Sequence, residues 1–155
     1  METIKWMPKR KIEKYRLGEN KPYAVEELIG NLLLEGGANN LLRLLIGDGT
    51  ATPFNASAAH IGIGDGTDAA VSTQTGLQGA NKTYKPMDTS YPVVYGNAVT
   101  FKATFNASDA VYAWNELCVI AGGYDEALCL NRKVESHGEK PDNEIWYVTC
   151  TIALS

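Results

Sequence analysis

The second half of the chain alternates apolar and polar side chains with the period of a β-strand. The clearest alternations cover residues 99–105 and 144–154, in which every second side chain is apolar. Residues 110–121 are apolar on both faces apart from Asn115 and Glu116, as expected of a central strand. Further strands are predicted at residues 3–7, 23–29 and 127–134. Several short strands separated by turn residues predict a mainly β protein, an antiparallel β-sandwich.

One segment has the period of a helix instead. Apolar side chains at positions 34, 38, 41 and 45 form a single stripe, which predicts an α-helix over about 32–46 with Asn31 as its N-cap. Gly36 and Gly37 lie inside this segment, and each costs a helix about 1 kcal/mol relative to Ala. Gly47 is expected to end it.

The stretch from Ile61 to Ala80 is dominated by turns and small residues. An apolar β-type run over 58–63 enters a Gly-Asp-Gly-Thr turn, and a loop of small residues follows over 68–75. Leu77 is the expected apolar anchor of this loop. Trp114 is expected in the core or at its border.

The charges are unevenly distributed. The whole chain of 155 residues has a net charge of −4, but residues 1–21 contain seven basic and three acidic side chains, a net charge of +4. Residues 22–155 therefore have a net charge of −8. We interpret residues 1–21 as an extended basic N-terminal arm and residues 22–155 as a single β-sandwich domain.

A basic arm can contact nucleic acid or dock on an acidic neighbour. Few aromatic side chains accompany these charges, whereas proteins that bind single-stranded nucleic acid usually interleave more of them, so docking on another subunit is favoured. The predicted assembly contacts are Trp6, Lys9, Arg10, Lys11 and Tyr15.

Composition places the chain among ordinary globular proteins, with 45% hydrophobic and 21% charged residues. No apolar run approaches the roughly 20 residues of a membrane helix, and residues 1–14 lack the apolar core of a secretion signal. These features predict a soluble protein made in the cytosol. Cys118, Cys129 and Cys150 have no metal-binding spacing and are expected to be buried, reduced thiols.

Candidate chemical sites have little support in the sequence. Asp65 and Asp68 resemble the start of a calcium loop, but the position of the bidentate acid is taken by Gly76. The Gly-x-Gly-x-Gly run at 62–66 lacks the spacing of a dinucleotide-binding turn. His60 could pair with either aspartate, although a hydrogen-bonded structural role is favoured. We therefore predict no catalytic residue, no cofactor and no metal.

Six motifs together resemble a group of small virion proteins of tailed bacteriophages. They are Gly30-Asn-Leu-Leu33, Ile61-Gly-Ile-Gly-Asp-Gly-Thr67, Thr73-Gln-Thr-Gly-Leu77, Val99-Thr-Phe-Lys-Ala-Thr-Phe105, Ala113-Trp-Asn-Glu116 and Leu130-Asn-Arg-Lys133. The resemblance covers roughly residues 22–155 and implies a non-enzymatic structural role. It also implies a place in the virion, assembly in the host cytoplasm, and other virion proteins and further copies of the chain as partners.

Within that class, a capsid decoration (cement) protein is the first choice, because a small domain with a protruding arm suits clamping neighbouring capsid subunits. A neck or tail component, such as a small fibre or a receptor-contacting tip, is the close alternative. A carbohydrate-binding module is a second class, with Tyr84, Tyr91, Tyr95 and Tyr124 as candidate aromatic contacts. A hydrolase lacks any nucleophile and base in a suitable pattern.

Overall fold

The computed structural model describes residues 3–155 and consists of two antiparallel sheets and one helix. The first sheet has the strand order β2-β1-β11-β7-β6. Its strands are β1 (Trp6–Arg16), β2 (Ala24–Ile29), β6 (Val93–Tyr95), β7 (Ala98–Phe105) and β11 (Glu144–Leu154). The second sheet has the order β3-β10-β8-β4-β5, with β9 also paired to β8. Its strands are β3 (Leu32–Leu33), β4 (Ala59–Gly64), β5 (Lys82–Pro86), β8 (Glu116–Ala121), β9 (Leu128–Cys129) and β10 (Asn131–Val134).

The main core lies where the two sheets face each other. Phe101 and Val148 point inward from the first sheet, and Ile61 and Val119 point inward from the second. Each of these side chains is at least 97% buried. The predicted β-sandwich is thus confirmed, and the alternations at 99–105 and 144–154 form β7 and β11 as expected.

Three aromatic rings fill one region of this core. Trp114 is fully buried, and its ring packs edge-on against Phe105 and Trp146 at centroid distances of 4.9 and 4.6 Å. The indole Nε1 of Trp114 donates to the carbonyl of Ala110 at 2.9 Å, which satisfies the one polar group that the ring buries. The core position expected for Trp114 is confirmed.

The second sheet is buried on both of its faces. Its far face, with Cys118 and Ile120, is covered by Leu34 at the start of α1 (Glu35–Leu45), by Ala127 and by the loop that carries Leu77. A Cβ atom on Gly37 would lie 2.4 Å from the carbonyl oxygen of Leu130, so this glycine allows α1 to contact the backbone next to β10. Farther along the helix, Leu41 packs against the main core. Leu77 anchors its loop as predicted.

The helix predicted over 32–46 is present, but it begins three residues later than predicted. Leu32 and Leu33 form β3, which pairs with Arg132 and Asn131 of β10, and α1 begins only at Glu35. Asn31 is not the N-cap, because its side-chain oxygen accepts a hydrogen bond from Trp6 Nε1 at 3.0 Å. The helix has no side-chain cap at Leu34.

The predicted N-terminal arm is wrong for the residues that form β1. This strand lies inside the first sheet, paired along its whole length with β11 and over residues 9–14 with β2. The inward positions of β1 include Arg10, Ile12 and Lys14. Because two of these three side chains are cations, the sequence does not show the apolar alternation expected of a strand. The domain therefore includes residues 6–16, while residues 1–2 of the predicted arm lie outside the described residues.

Two predicted strands are shorter than expected. Residues 110–115 run irregularly, with only Ala113 bridging to Glu139, and β8 begins at Glu116. The strand predicted at 127–134 divides into β9 and β10 on either side of Leu130. Two further strands, β5 and β6, lie in a region where the sequence pattern predicted none.

Candidate functional site

The most heavily bonded ionisable side chain is the carboxylate of Glu116, which is fully buried. Its Oε1 accepts hydrogen bonds from the backbone N–H groups of Gly66 at 3.0 Å and Gly79 at 2.7 Å. Its Oε2 accepts one from the backbone N–H of Gln78 at 2.9 Å and one from Arg132 Nε at 2.8 Å. Four donors therefore surround a single carboxylate, and each oxygen receives two of them.

Arg132 completes this buried ion pair from β10, and its side chain is also fully buried. Its Nη1 donates to the carbonyl of Asp68 at 2.9 Å and to the side-chain oxygen of Gln74 at 3.0 Å. Strands β8 and β10 of the second sheet thus supply a carboxylate and a guanidinium group that together hold the loop from Gly66 to Gly79. We call this arrangement the Glu116–Arg132 centre.

The glycines of the loop are explained by the space that this carboxylate needs. A Cβ atom on Gly64 would lie 2.3 Å from Glu116 Oε1, and one on Gly66 would lie 2.6 Å from the same atom. A Cβ on Gly79 would lie 2.4 Å from the backbone nitrogen of Gly66. Each distance is too short for a real contact, so any side chain at these positions would force the centre apart.

Four of the six motifs quoted above meet at this centre. The motif at 61–67 supplies Gly64 and Gly66, and the motif at 73–77 supplies Gln74. The motif at 113–116 ends with Glu116, and the motif at 130–133 contains Arg132. Gly30-Asn-Leu-Leu33 is next to them, because it contains β3, the strand that pairs with β10. These five motifs therefore belong to one structural unit, whereas the motif at 99–105 forms β7 of the other sheet.

The chemistry available to the centre is limited by its burial and by its hydrogen bonds. Both side chains have no exposed surface, and all the acceptor capacity of the carboxylate is directed at backbone and guanidinium donors. A general acid or base must reach the proton that it transfers. The arrangement instead fixes the position of a loop that has little apolar anchorage of its own.

A second group of charged side chains lies on the inward face of β1. Arg10 Nη2 contacts Glu135 Oε2 at 2.7 Å, and Lys14 Nζ donates to the carbonyl of His137 at 2.5 Å. His137 Nδ1 lies 3.1 Å from Glu26 Oε2, and Lys14 Nζ lies 3.5 Å from the other oxygen of Glu26. Burial lowers the pKa of His137 despite the neighbouring Glu26 carboxylate, which favours the neutral ring.

Sequence reasoning missed both groups of charges. The available signal was Glu116, an acid in an otherwise apolar stretch, because a buried carboxylate must find donors. Arg10 and Lys14 gave no such signal, since cations near the N-terminus are ordinary on a solvated segment. Their partners Glu26, Glu135 and His137 are distant in sequence, between 12 and about 125 residues away.

The residues predicted as weak chemical candidates do not come together. His60 Nδ1 lies 2.8 Å from the carbonyl of Ala58, in the local structural role that was favoured. His60 lies on β4 and Asp65 directly follows the last residue of that strand, so their Cα atoms are about 16 Å apart at the usual rise. Asp65 accepts hydrogen bonds from the backbone and side chain of Asn81, and that side-chain bond holds its pKa below the usual range. The backbone carbonyl of Asp68 contacts Arg132.

The described residues also include three thiols and a cleft. Within residues 3–155, no group of three or more His, Cys, Asp or Glu side chains could hold a metal ion. Cys118, Cys129 and Cys150 are buried and form no disulfide, as predicted, and burial raises the pKa of Cys150 to about 12.

A cleft of about 680 Å³ lies beside α1 and is lined by side chains of both charges, with Lys82 and Asp125 paired at 3.1 Å. Over the described range, no helix is long and apolar enough to cross a membrane.

The predicted assembly contacts are now divided between two faces of β1. Arg10 is 2% exposed and bound to Glu135, so it cannot serve as a surface contact. Trp6 is half-buried and packs against the core. Lys9 is exposed and Lys11 and Tyr15 are half-buried on the outer face of the first sheet, where Tyr15 packs edge-on against Tyr147. For Lys9, Lys11 and Tyr15 an assembly role stays a prediction.

The four tyrosines predicted as candidate sugar contacts are divided between the two sheets. Tyr91 and Tyr95 lie at β6 of the first sheet, whereas Tyr84 is on β5 of the second. The hydroxyl of Tyr84 donates to Asp125 at 2.7 Å, in the turn that also contains Tyr124. They do not share one strand or one sheet edge.

Comparison of the chain with models of protein families, with curated proteins and with solved structures finds no match.

Proposed function

We propose that this protein is a non-enzymatic structural subunit of a tailed-bacteriophage particle. A capsid decoration protein that binds neighbouring capsid subunits is the first choice, and a neck or tail component is the alternative. The observation that carries the proposal is the role of the motifs on which the resemblance rests. Four of them build the Glu116–Arg132 centre, whose charged groups position a loop and are closed to any substrate.

A structural role is further supported by an exposed apolar surface on α1. Leu42, Leu45 and Ile46 are 64%, 81% and 79% exposed, at the spacing that places them on one side of the helix. Such clusters on small proteins commonly mark surfaces that contact other proteins. A subunit that works in a lattice needs contacts of this kind, whereas an enzyme acting alone does not.

Residues 6–16 form β1 inside the first sheet, so they cannot act as a free basic arm in assembly. The charge distribution still supports docking on an acidic neighbour, because Lys9 and Lys11 remain on the outer face of the first sheet. The proposal now depends on surfaces of the folded domain. Nucleic acid remains disfavoured as a partner.

The experiment is a binding assay with particles that lack the protein. Purified wild-type chain is mixed with such particles, and the bound fraction is measured after sedimentation. The proposal expects saturable binding with a fixed number of copies per particle, and it expects Leu45→Asp to weaken that binding.

The matched control is Leu17→Asp, which places the same charge at another exposed leucine, away from the helix. Equal binding by both variants would remove α1 from the interface, and failure of the wild-type chain to bind any part of the particle would contradict the proposal. Reproducible turnover of a polysaccharide or ester by the purified chain would also contradict it.

A further inference from the structure

The first sheet has two edges, and one of them is apolar and uncharged. This edge is β6, where Val93, Val94 and Tyr95 are 47%, 71% and 89% exposed. Natural proteins blunt free edges with very short strands, charges, proline or a covering segment, because unpaired backbone groups recruit other strands. Strand β6 is short and follows Pro92, but none of its three residues is charged.

The hydrogen-bonding direction of β6 follows from its neighbours. The backbone N–H of Leu154 donates to the carbonyl of Asn97 at 3.0 Å, so Asn97 points toward β11. Because these groups alternate along a strand, Ala98 points toward β6 and bonds Tyr95, its partner in the register. The N–H and C=O of Val94 therefore point away from β7, toward the open edge.

The other edges are poorly suited to meet a copy of themselves. Antiparallel pairing of two β2 strands about their centre would place Glu26 of one copy opposite Glu27 of the other, and like charges directly opposite each other are destabilising. Strand β5 carries Lys82, Lys85 and Pro86, the last of which has no N–H to donate. Strand β3 has only two residues.

Strand β6, by contrast, is self-complementary. Antiparallel pairing about Val94 would let the two Val94 residues exchange both of their outward hydrogen bonds. It would also place Val93 of each copy opposite Tyr95 of the other, a β-branched and aromatic pair of the kind that stabilises sheets. No charge would face a like charge across this contact.

We propose that two copies of this chain associate through β6 about a two-fold axis at Val94, which joins their first sheets into one sheet of ten strands. The contact is isologous, as expected of a closed dimer. Because each strand contributes only three residues, the dimer is weak, with a dissociation constant in roughly the micromolar to millimolar range for so small an interface. This inference stands apart from the proposed function, since it concerns the purified chain alone.

The first test is sedimentation equilibrium of the full chain over a wide concentration range. The wild-type chain is expected to show a reversible monomer–dimer equilibrium. Val94→Lys places two cations against each other and should raise the dissociation constant by roughly tenfold or more. Val25→Lys is the matched control, because Val25 is a half-exposed valine on the opposite edge strand. It should leave the equilibrium unchanged.

The second test locates the axis by cross-linking. The two Val94 residues would be about 5.5 Å apart between Cα atoms, within the range that a disulfide spans. Oxidised Val94→Cys should therefore give a covalent dimer, and Val25→Cys should not, while the three native cysteines are buried and do not interfere. A wild-type chain that stays monomeric at millimolar concentration, or a dimer unaffected by Val94→Lys, would overturn the inference.

Discussion

Removing Arg132 should be among the most destabilising single changes in this protein. In Arg132→Met the aliphatic stem is largely kept, but the fully buried carboxylate of Glu116 loses the one charged partner that residues 3–155 provide. Breaking a buried ion pair from one side typically costs about 3–5 kcal/mol, because the remaining charge is left without compensation. Domains of this size are stable by about 5–15 kcal/mol, so the loss is a large share of the total.

The isosteric change Glu116→Gln should be costly for a different reason. Each oxygen of the carboxylate receives two hydrogen bonds, from Gly66 and Gly79 on one side and from Gln78 and Arg132 on the other. Whichever oxygen becomes the amide NH₂ group, it faces two donors and has no acceptor. The loss should therefore be well above the 0.5–1.5 kcal/mol typical of one hydrogen bond.

Urea unfolding measures these free energies directly, and thermal melts should show Arg132→Met lower by roughly 6–20 °C. The matched control is Arg43→Met, which removes an Arg–carboxylate contact to Asp48 of 2.9 Å that is largely exposed. Exposed pairs contribute about 0–1 kcal/mol, so this variant should melt close to the wild-type chain. If both arginine variants lose the same small amount, the centre does not stabilise the loop as argued.

A second pair of variants tests the space around the carboxylate. The three atoms nearest to a Cβ on Gly64 all belong to the side chain of Glu116. Gly64→Ala should therefore destabilise by about 1–3 kcal/mol through overpacking. In a Glu116→Ala background the same change should cost far less, because the obstructing atoms are gone. Additive effects of the two substitutions would contradict this geometry.

Three further predictions follow from the rest of the fold. Deleting residues 3–16 should give an unfolded or insoluble chain, because β1 separates β2 from β11; a soluble product with the wild-type melting temperature would refute this. As pH falls below about 6.5, the unfolded chain binds a proton at His137 before the folded chain does, so the free energy of unfolding should decrease. In urea titrations at pH 5.5 and 7.5, His137→Gln should show a smaller difference between the two free energies than the wild-type chain shows. Cys118, Cys129 and Cys150 should resist a thiol reagent in the native protein and all react in denaturant; fast labelling of the native chain would show that the core is misplaced.

The parts of the fold that sequence reasoning predicted are those in which apolar periodicity is unbroken. Strands β7 and β11 alternate cleanly. Leu77 is an apolar residue in a polar loop and Trp114 lies in an apolar stretch, so the sequence predicts that both are buried. The helix was recognisable by its stripe, but its start depended on β3 pairing with β10. That pairing joins segments about 100 residues apart, and local pattern does not reveal it.

The largest differences between prediction and structure involve buried charge. The pattern of residues 6–16 predicts a solvated arm because Arg10 and Lys14 occupy inward positions, where their partners come from distant segments. The Glu116–Arg132 centre was missed for the same reason, although glycines that leave no room for a Cβ were visible as a Gly-x-Gly-x-Gly run. The burial of a polar residue can be predicted only when the partner that satisfies it is known.

The central claim, that this chain is a structural component of a phage particle, is tested most directly by locating it on the intact particle. Purified particles of a phage whose genome encodes the chain would be labelled with an antibody against it and imaged, and the copy number per particle would be measured by quantitative mass spectrometry. The account predicts labelling at regular positions and a fixed copy number, on the capsid surface for a decoration protein and at the neck or tail for the alternative. A chain abundant in the infected cell but missing from purified particles would contradict it.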